Sequence, residues 1–182
     1  NSTTAAIDTG RDTSLTLYKY DITAAQDAGA WDTASYVSSG LLDEEVNTAL
    51  SPYAIQGVEF SYLKVADLAI LKENEDGHHQ VKPLYGFTEN TKTGSRETVE
   101  FLSALGLTTN DAYTVKHNEQ ENRVWYFESD VLIDALRNAL AANATATKEA
   151  LESYMASNGG TAMPETDENG KSAVSGLAQG LY

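Results

Sequence analysis

Three histidines, His78, His79 and His117, are the side chains of this sequence best suited to metal binding or to proton transfer near neutral pH. His78 and His79 follow Glu75, Asp76 and Gly77, which places carboxylates and imidazoles close together in sequence. Adjacent residues of a strand point to opposite faces, however, and His117 is distant along the chain. The spacing therefore predicts a solvated hairpin tip and no metal site. Asp167-Glu168-Asn169-Gly170 has the composition of a calcium loop but lacks the alternating ligand spacing and the distal bidentate Glu, so a turn is expected there. GxSxG, HExxH, Walker and GxGxxG patterns do not occur, and the carboxylates are numerous simply because the chain is acidic. No catalytic role, cofactor or metal is expected. Trp125-Tyr126-Phe127 reads either as a sugar-stacking platform or as a strand whose rings pack half in a core. Asn1-Ser2-Thr3 and Asn143-Ala144-Thr145 fit the glycosylation sequon, a pattern too short to argue from.

Composition sets the frame for these residues. The chain has 182 residues, 12 Lys and Arg against 27 Asp and Glu, and a formal charge of -15. Such a surface repels phosphate backbones and anionic headgroups, which argues against nucleic acid and membrane-surface partners. A hydrophobic fraction of 41%, with ten Tyr, four Phe and two Trp, is enough for a core. Zero cysteines exclude disulfides and thiolate chemistry, so an exported protein of this composition needs another source of resistance. No apolar run approaches the roughly 18 residues of a membrane span. The start at Asn1 reads as a processed or cut end, and Gly176 to Tyr182 stops as a strand begins, so the chain is expected to be part of a longer polypeptide.

Periodicity then places the elements. Ser14 to Asp21 alternates, with Leu15, Leu17 and Lys19 on one face and Thr16, Tyr18 and Tyr20 on the other. Residues 24–51 read as a long surface excursion with a short helix near Asp43 to Leu50. Gly57 to Leu71 alternates again, Glu75-Asp76-Gly77 supplies turn chemistry, and Val81 to Phe87 returns as a strand. Ser95 is placed to cap a helix carrying Val99, Leu102 and Leu105, closed by Gly106. Ala112 to His117 and Arg123 to Phe127 read as a hairpin. A helical stretch from Ser129 or Asp130 to about Ser157 is weakened at Asn143 to Thr147, which predicts two helices or a kink. Thr166 to Lys171 reads as a turn, and Ser172 to Val174 as a short strand.

Three segments together carry a resemblance. They are Ser14-Leu15-Thr16-Leu17-Tyr18-Lys19-Tyr20, then Gly57-Val58-Glu59-Phe60-Ser61-Tyr62-Leu63-Lys64-Val65, and finally the run from Thr166-Asp167-Glu168-Asn169-Gly170-Lys171 to Gly180-Leu181-Tyr182. In type, order and spacing they resemble the N-terminal domain of the backbone pilins of Gram-positive bacteria, which sortases polymerise. The likeness covers both ends and skips the middle.

The resemblance implies a mainly β fold with helical insertions: an Ig-like β-sandwich of the collagen-adhesin B type, short of its last strands. It implies a single N-terminal pilin domain over residues 1–182, with a helix-containing insertion at about 92–157. The implied function is that of a secreted, cell-wall fimbrial shaft subunit serving adhesion and colonisation. Its implied partners are further copies of the same pilin, sortase, tip and base pilins and a host receptor. The family forms isopeptide bonds, and Lys19 matches the position of the lysine that forms them, its Asn or Asp partner and assisting Glu being expected beyond Tyr182. Burial of such an amine beside a carboxyl pushes its pKa toward neutrality and makes it nucleophilic. Alternatively Lys19 is a strand lysine whose amine reaches solvent, and Lys64 is a second candidate. A surface adhesin or glycan- or matrix-binding module that is not polymerised is the competing expectation; a hydrolase using paired carboxylates is the third.

Overall fold

Thr13 and Leu177 lie 164 positions apart in sequence, yet the Thr13 hydroxyl donates to the Leu177 carbonyl at 3.2 Å. That closure organises the chain. The computed structural model describes residues 10–32, 41–75, 78–87, 90–93, 96–107, 114–118 and 124–182. In order the elements are β1 (Thr13–Tyr18), α1 (Ile22–Asp27), α2 (Glu44–Leu50), β2 (Ser61–Tyr62), β3 (Ala66–Glu75), β4 (His78–Phe87), β5 (Asn90–Thr93), β6 (Arg96–Val99), α3 (Glu100–Ala104), β7 (Thr114–Asn118), β8 (Val124–Glu128), α4 (Ser129–Ala142), α5 (Ala144–Asn158), β9 (Thr161–Ala162), β10 (Lys171–Leu177) and β11 (Gly180–Leu181). The fold is mixed, combining helices with several antiparallel sheets. Helix takes a larger share than a mainly β reading expects, since α4 and α5 alone span 14 and 15 residues.

Two compact units result, each discontinuous or interrupted in sequence. The first, the ribbon unit, contains residues 12–61 and 161–177; the second, the sheet unit, contains 62–160 with Arg11 and Ala178–Tyr182. The helices expected at about 92–157 all fall in the sheet unit, where α5 ends one residue past that range.

In the sheet unit a five-stranded antiparallel sheet runs β11-β3-β4-β8-β7. Asp76 and Gly77 of the expected turn lie outside the described residues, but the strands on either side pair from Asp67↔Gly86 to Glu75↔His78. The expected hairpin of β7 and β8 is present, with His117 opposite Trp125. Helices cover this sheet through aromatic contacts. Phe87 meets Phe127 edge-on at 5.5 Å, stacks with Phe101 at 6.2 Å, and Phe101 meets Tyr154 of α5 at 5.3 Å. These edge and offset arrangements suit the ring quadrupoles. Leu102 and Leu132 close the cluster, both buried.

The helix expected from Ser95 starts later. Ser95 lies outside the described residues, Arg96–Val99 pairs with Asn90–Thr93 as a hairpin, and α3 begins only at Glu100. Thr98 and Val99 are β-branched and favour the strand, while Leu102 and Leu105 still recur at helical spacing. The weakened stretch at Asn143 is a clean break: Asn143 caps α5 by accepting from the Ala146 amide at 3.1 Å. The Thr147 hydroxyl bonds back to the Asn143 and Ala139 carbonyls and ties the two helices together.

In the ribbon unit β1 pairs antiparallel with β10, Leu15 opposite Val174 and Tyr18 opposite Lys171. The excursion after β1 holds two capped helices. Asp21 accepts from the Ala24 amide ahead of α1, and Asp43 from the Val46 amide ahead of α2, where Glu44 and Glu45 also favour the positive helix end. Ala25 and Leu50 are the buried residues of these helices.

A second knot holds the ribbon unit. Thr166, almost wholly buried, donates its hydroxyl to the Ile55 carbonyl at 2.7 Å and accepts from the Val58 amide at 2.9 Å. Its own amide and carbonyl bond Val58 and Gly57. Thr166→Val keeps the shape and removes the hydroxyl partner of two partly buried backbone groups, so a loss of about 1 kcal/mol is expected in urea unfolding. Thr166→Ser, which keeps the hydroxyl, is expected to recover most of it.

Candidate functional site

Of the residues singled out by sequence, Lys19 and the Asp167 to Gly170 turn meet at the end of β1, whereas Lys64, the histidines and Trp125 belong to the sheet unit. Lys19 sits one position past the strand, and its backbone is fixed on both sides. Its amide donates to the Gly170 carbonyl at 2.8 Å, and its carbonyl accepts from the Ile55 amide at 3.0 Å. The Asp167 turn explains why Gly170 is where it is. Asp167 Oδ1 accepts from the amides of Asn169 at 2.8 Å and Lys171 at 3.0 Å, closing the turn by side chain as well as backbone. Gly170 then takes φ +72° and passes so close to the Lys19 carbonyl that a Cβ would collide with it. The Thr-Asp-x-x-Gly-Lys run is thus a turn shaped to receive the end of β1, and the Asp167 carboxylate is occupied by it.

The Lys19 side chain itself is exposed. Lys64, in the sheet unit, is different: its amine lies 2.6 Å from an Asp67 carboxylate oxygen with about two fifths of the side chain exposed. The hydrogen bond from Lys64 to Asp67 raises the amine's pKa above the ordinary lysine value, with burial opposing and the charges of Asp67 and Tyr182 adding to the rise. A nucleophilic amine needs the opposite shift. Asp67 therefore holds Lys64 in its unreactive form, which makes it the poorer of the two lysine candidates.

His78 and His79 are backbone partners of Glu75 and Asn74, and His117 and Trp125 face each other across β7 and β8. Their side chains, and that of Tyr126, lie outside the described residues. Phe127, the last ring of that aromatic run, is fully buried in the core. Among the described residues no group of three or more metal-ligating side chains occurs, and no helix is long and apolar enough to cross a membrane.

Beside β1 lies a feature that periodicity does not reveal. A groove of about 750 Å³ runs along Ser14 to Tyr18 and is walled by residues of the long excursion, Trp31, Leu41, Leu42 and Val46 among them. Tyr18 and Tyr20 stack at its end, 6.1 Å between ring centres, and the Tyr20 hydroxyl donates to Asn47 Oδ1 at 2.9 Å. Partial burial, and secondarily Tyr18, push the Tyr20 hydroxyl above its ordinary value. The signal in sequence was the adjacent pair Leu41-Leu42 ahead of a capped helix, in a stretch otherwise small and polar.

Compared with known protein families, with curated proteins and with solved structures, the chain matches none.

Two outcomes follow from the shifted groups. Tyr20 keeps its proton to higher pH in the folded chain than in the unfolded one. Its contribution to stability is therefore complete below the unfolded value of 10.0 and lost as pH rises through the folded value. Tyr20→Phe is expected to cost about 1 kcal/mol near neutrality through the lost Asn47 bond, and to show a smaller stability loss than the parent when urea midpoints are compared between about pH 8 and about pH 11. Asp67→Ala removes the partner that holds Lys64 protonated. It is expected to speed acylation of Lys64 by an amine-reactive ester, followed by peptide mass mapping, and to leave the Lys19 rate unchanged.

Proposed function

We propose that this chain is the N-terminal part of a sortase-polymerised backbone pilin: a structural subunit of a Gram-positive cell-wall fimbrium, built on an Ig-like framework of the collagen-adhesin B type. The observation that carries this reading is the pairing of β1 with β10. The first and last of the three segments that resemble the family lie at opposite ends of the sequence, and they pair through Thr13–Tyr18 and Lys171–Leu177, with one register shift, in one unit. The stretch between them, where the resemblance lapses, builds most of a unit with its own core. A helix-containing insertion carried on a framework whose two ends pair is what such a resemblance implies.

In this reading Lys19 ends the first strand and presents its amine outward to a strand from beyond Tyr182. Bond formation there joins Lys19 Nζ to the side-chain carbonyl carbon of an Asn and releases ammonia, or of an Asp and releases water. Burial by that strand would supply the desolvation that makes the amine nucleophilic. The lack of cysteine fits a shaft whose covalent links survive reducing conditions. The partners are further copies of the pilin, sortase, tip and base pilins and a host receptor, all at the cell surface.

The test is intact-mass spectrometry of the chain carried past Tyr182. The expected mass is short of the sequence mass by one ammonia or one water, and the deficit disappears in Lys19→Arg. A full sequence mass in the parent would remove the crosslink. Cell-wall extracts of the producing organism are expected to show a ladder of detergent-resistant multimers; a single monomer band would remove the polymer role.

A further inference from the structure

We propose that the groove beside β1 is a docking site for an extended, apolar and cationic peptide segment, which adds as a strand to the outer edge of β1. Three features of the ribbon unit support this occupant. The first is the edge. Among the described residues β10 is the one strand paired with β1, and five consecutive β1 residues, Ser14 to Tyr18, line the groove. Consecutive residues of a strand share a groove wall only where the groove follows the strand's edge, because alternate side chains leave on opposite faces. An edge strand turns N–H and C=O groups outward that an added strand satisfies.

The second feature is the wall opposite. Leu41 and Leu42 are 79% and 64% exposed, and the half-buried Leu15, Leu17 and Val46 line the same groove. Two adjacent leucines this exposed, on the rim of a cavity of ligand size, are apolar surface that a bound side chain would cover.

The third is charge, which selects among occupants. The basic side chains of the ribbon unit are Lys19 and Lys171, whereas Asp12, Asp21, Asp27, Asp43, Glu44 and Glu45 are among its acids. Asp43 and, at the Tyr18 end, Lys171 line the groove, and the exposed Glu44 and Glu45 follow Asp43 on the first turn of α2, so acids outnumber the one base at this rim. A second copy of this chain brings a formal charge of -15 to that rim and is repelled. A strand of alternating apolar and Lys or Arg residues fits both demands: apolar side chains enter the groove and cationic ones face the acidic rim.

The proposal rests on the ribbon unit alone and stands or falls separately from the pilin reading. The test uses the 182-residue chain and a fluorescein-labelled octapeptide of alternating Val and Lys, read by fluorescence anisotropy. Binding is expected, weakening as salt rises. An otherwise identical Val and Glu peptide, and a Val and Lys peptide N-methylated at alternate positions to block pairing on one edge, are both expected to fail. Leu41→Ser with Leu42→Ser, which removes apolar surface at two exposed positions without changing the charge of the rim, is expected to weaken binding about tenfold or more. Circular dichroism of that variant is expected to match the parent. Equal binding of the Glu peptide, full binding of the N-methylated peptide, or undiminished binding by the folded double variant would each overturn the proposal. So would concentration-dependent dimerisation of the chain by sedimentation that the double variant abolishes, since the groove would then hold a second copy.

Discussion

Everything in the ribbon unit hangs on one junction, where the end of β1, the segment around Ile55 and the Thr166 to Lys171 turn share hydrogen bonds. Lys19 bonds to Gly170 on one side and Ile55 on the other; Thr166 bonds Ile55, Gly57 and Val58. These segments are far apart in sequence, so the entropy of closing them is large, and few side chains are buried beside them to offset it. Directed hydrogen bonds, most of them to backbone groups, do what a large core would otherwise do. Their dependence on one hydroxyl and one residue without a Cβ gives the junction little tolerance for substitution.

The sheet unit is held differently, by a hydrophobic core of its own. Residues 62–160 belong to that unit and satisfy their own burial. They do so with rings. Phe87, Phe101, Phe127 and Tyr154 come from two strands and two helices, and each is in contact with at least one of the others. The framework is held by polar bonding and the insertion by apolar packing, so the two should respond differently to salt and temperature.

Much of the secondary structure was legible because its signals are local. Asp43 ahead of Glu44 and Glu45 marks a helix start, Asn143 marks a break, and the alternation flanking residues 118–123 marks a hairpin. The start of α3 was misread because β-branched residues before it also fit a helical spacing, and only the pairing partner, Asn90–Thr93, decides between strand and helix. Lys19 was legible as a residue but not in its setting. Alternation puts it on the face of Leu15 and Leu17, whereas the strand ends at Tyr18 and the side chain turns to solvent. Thr166 and Gly170 were visible as turn residues, yet what the turn receives was not, since the partners lie more than a hundred positions away. The groove could not be inferred from periodicity, because its walls come from a stretch with almost none.

The exposure of Lys19 bears on the chemistry proposed for it. An amine in water is held protonated and competes poorly as a nucleophile; burial beside a carboxyl reverses both conditions. The two lysines considered differ in setting: the Lys64 amine lies at hydrogen-bond distance from a carboxylate, and the Lys19 side chain is exposed. These are not equivalent. A carboxylate partner continues to favour the charged amine when water is excluded, so covering Lys64 would not by itself activate it. Solvent exposure vanishes as soon as another strand covers the site. Lys19, fixed through its backbone at both the amide and the carbonyl, is therefore the amine that the proposed crosslink would use.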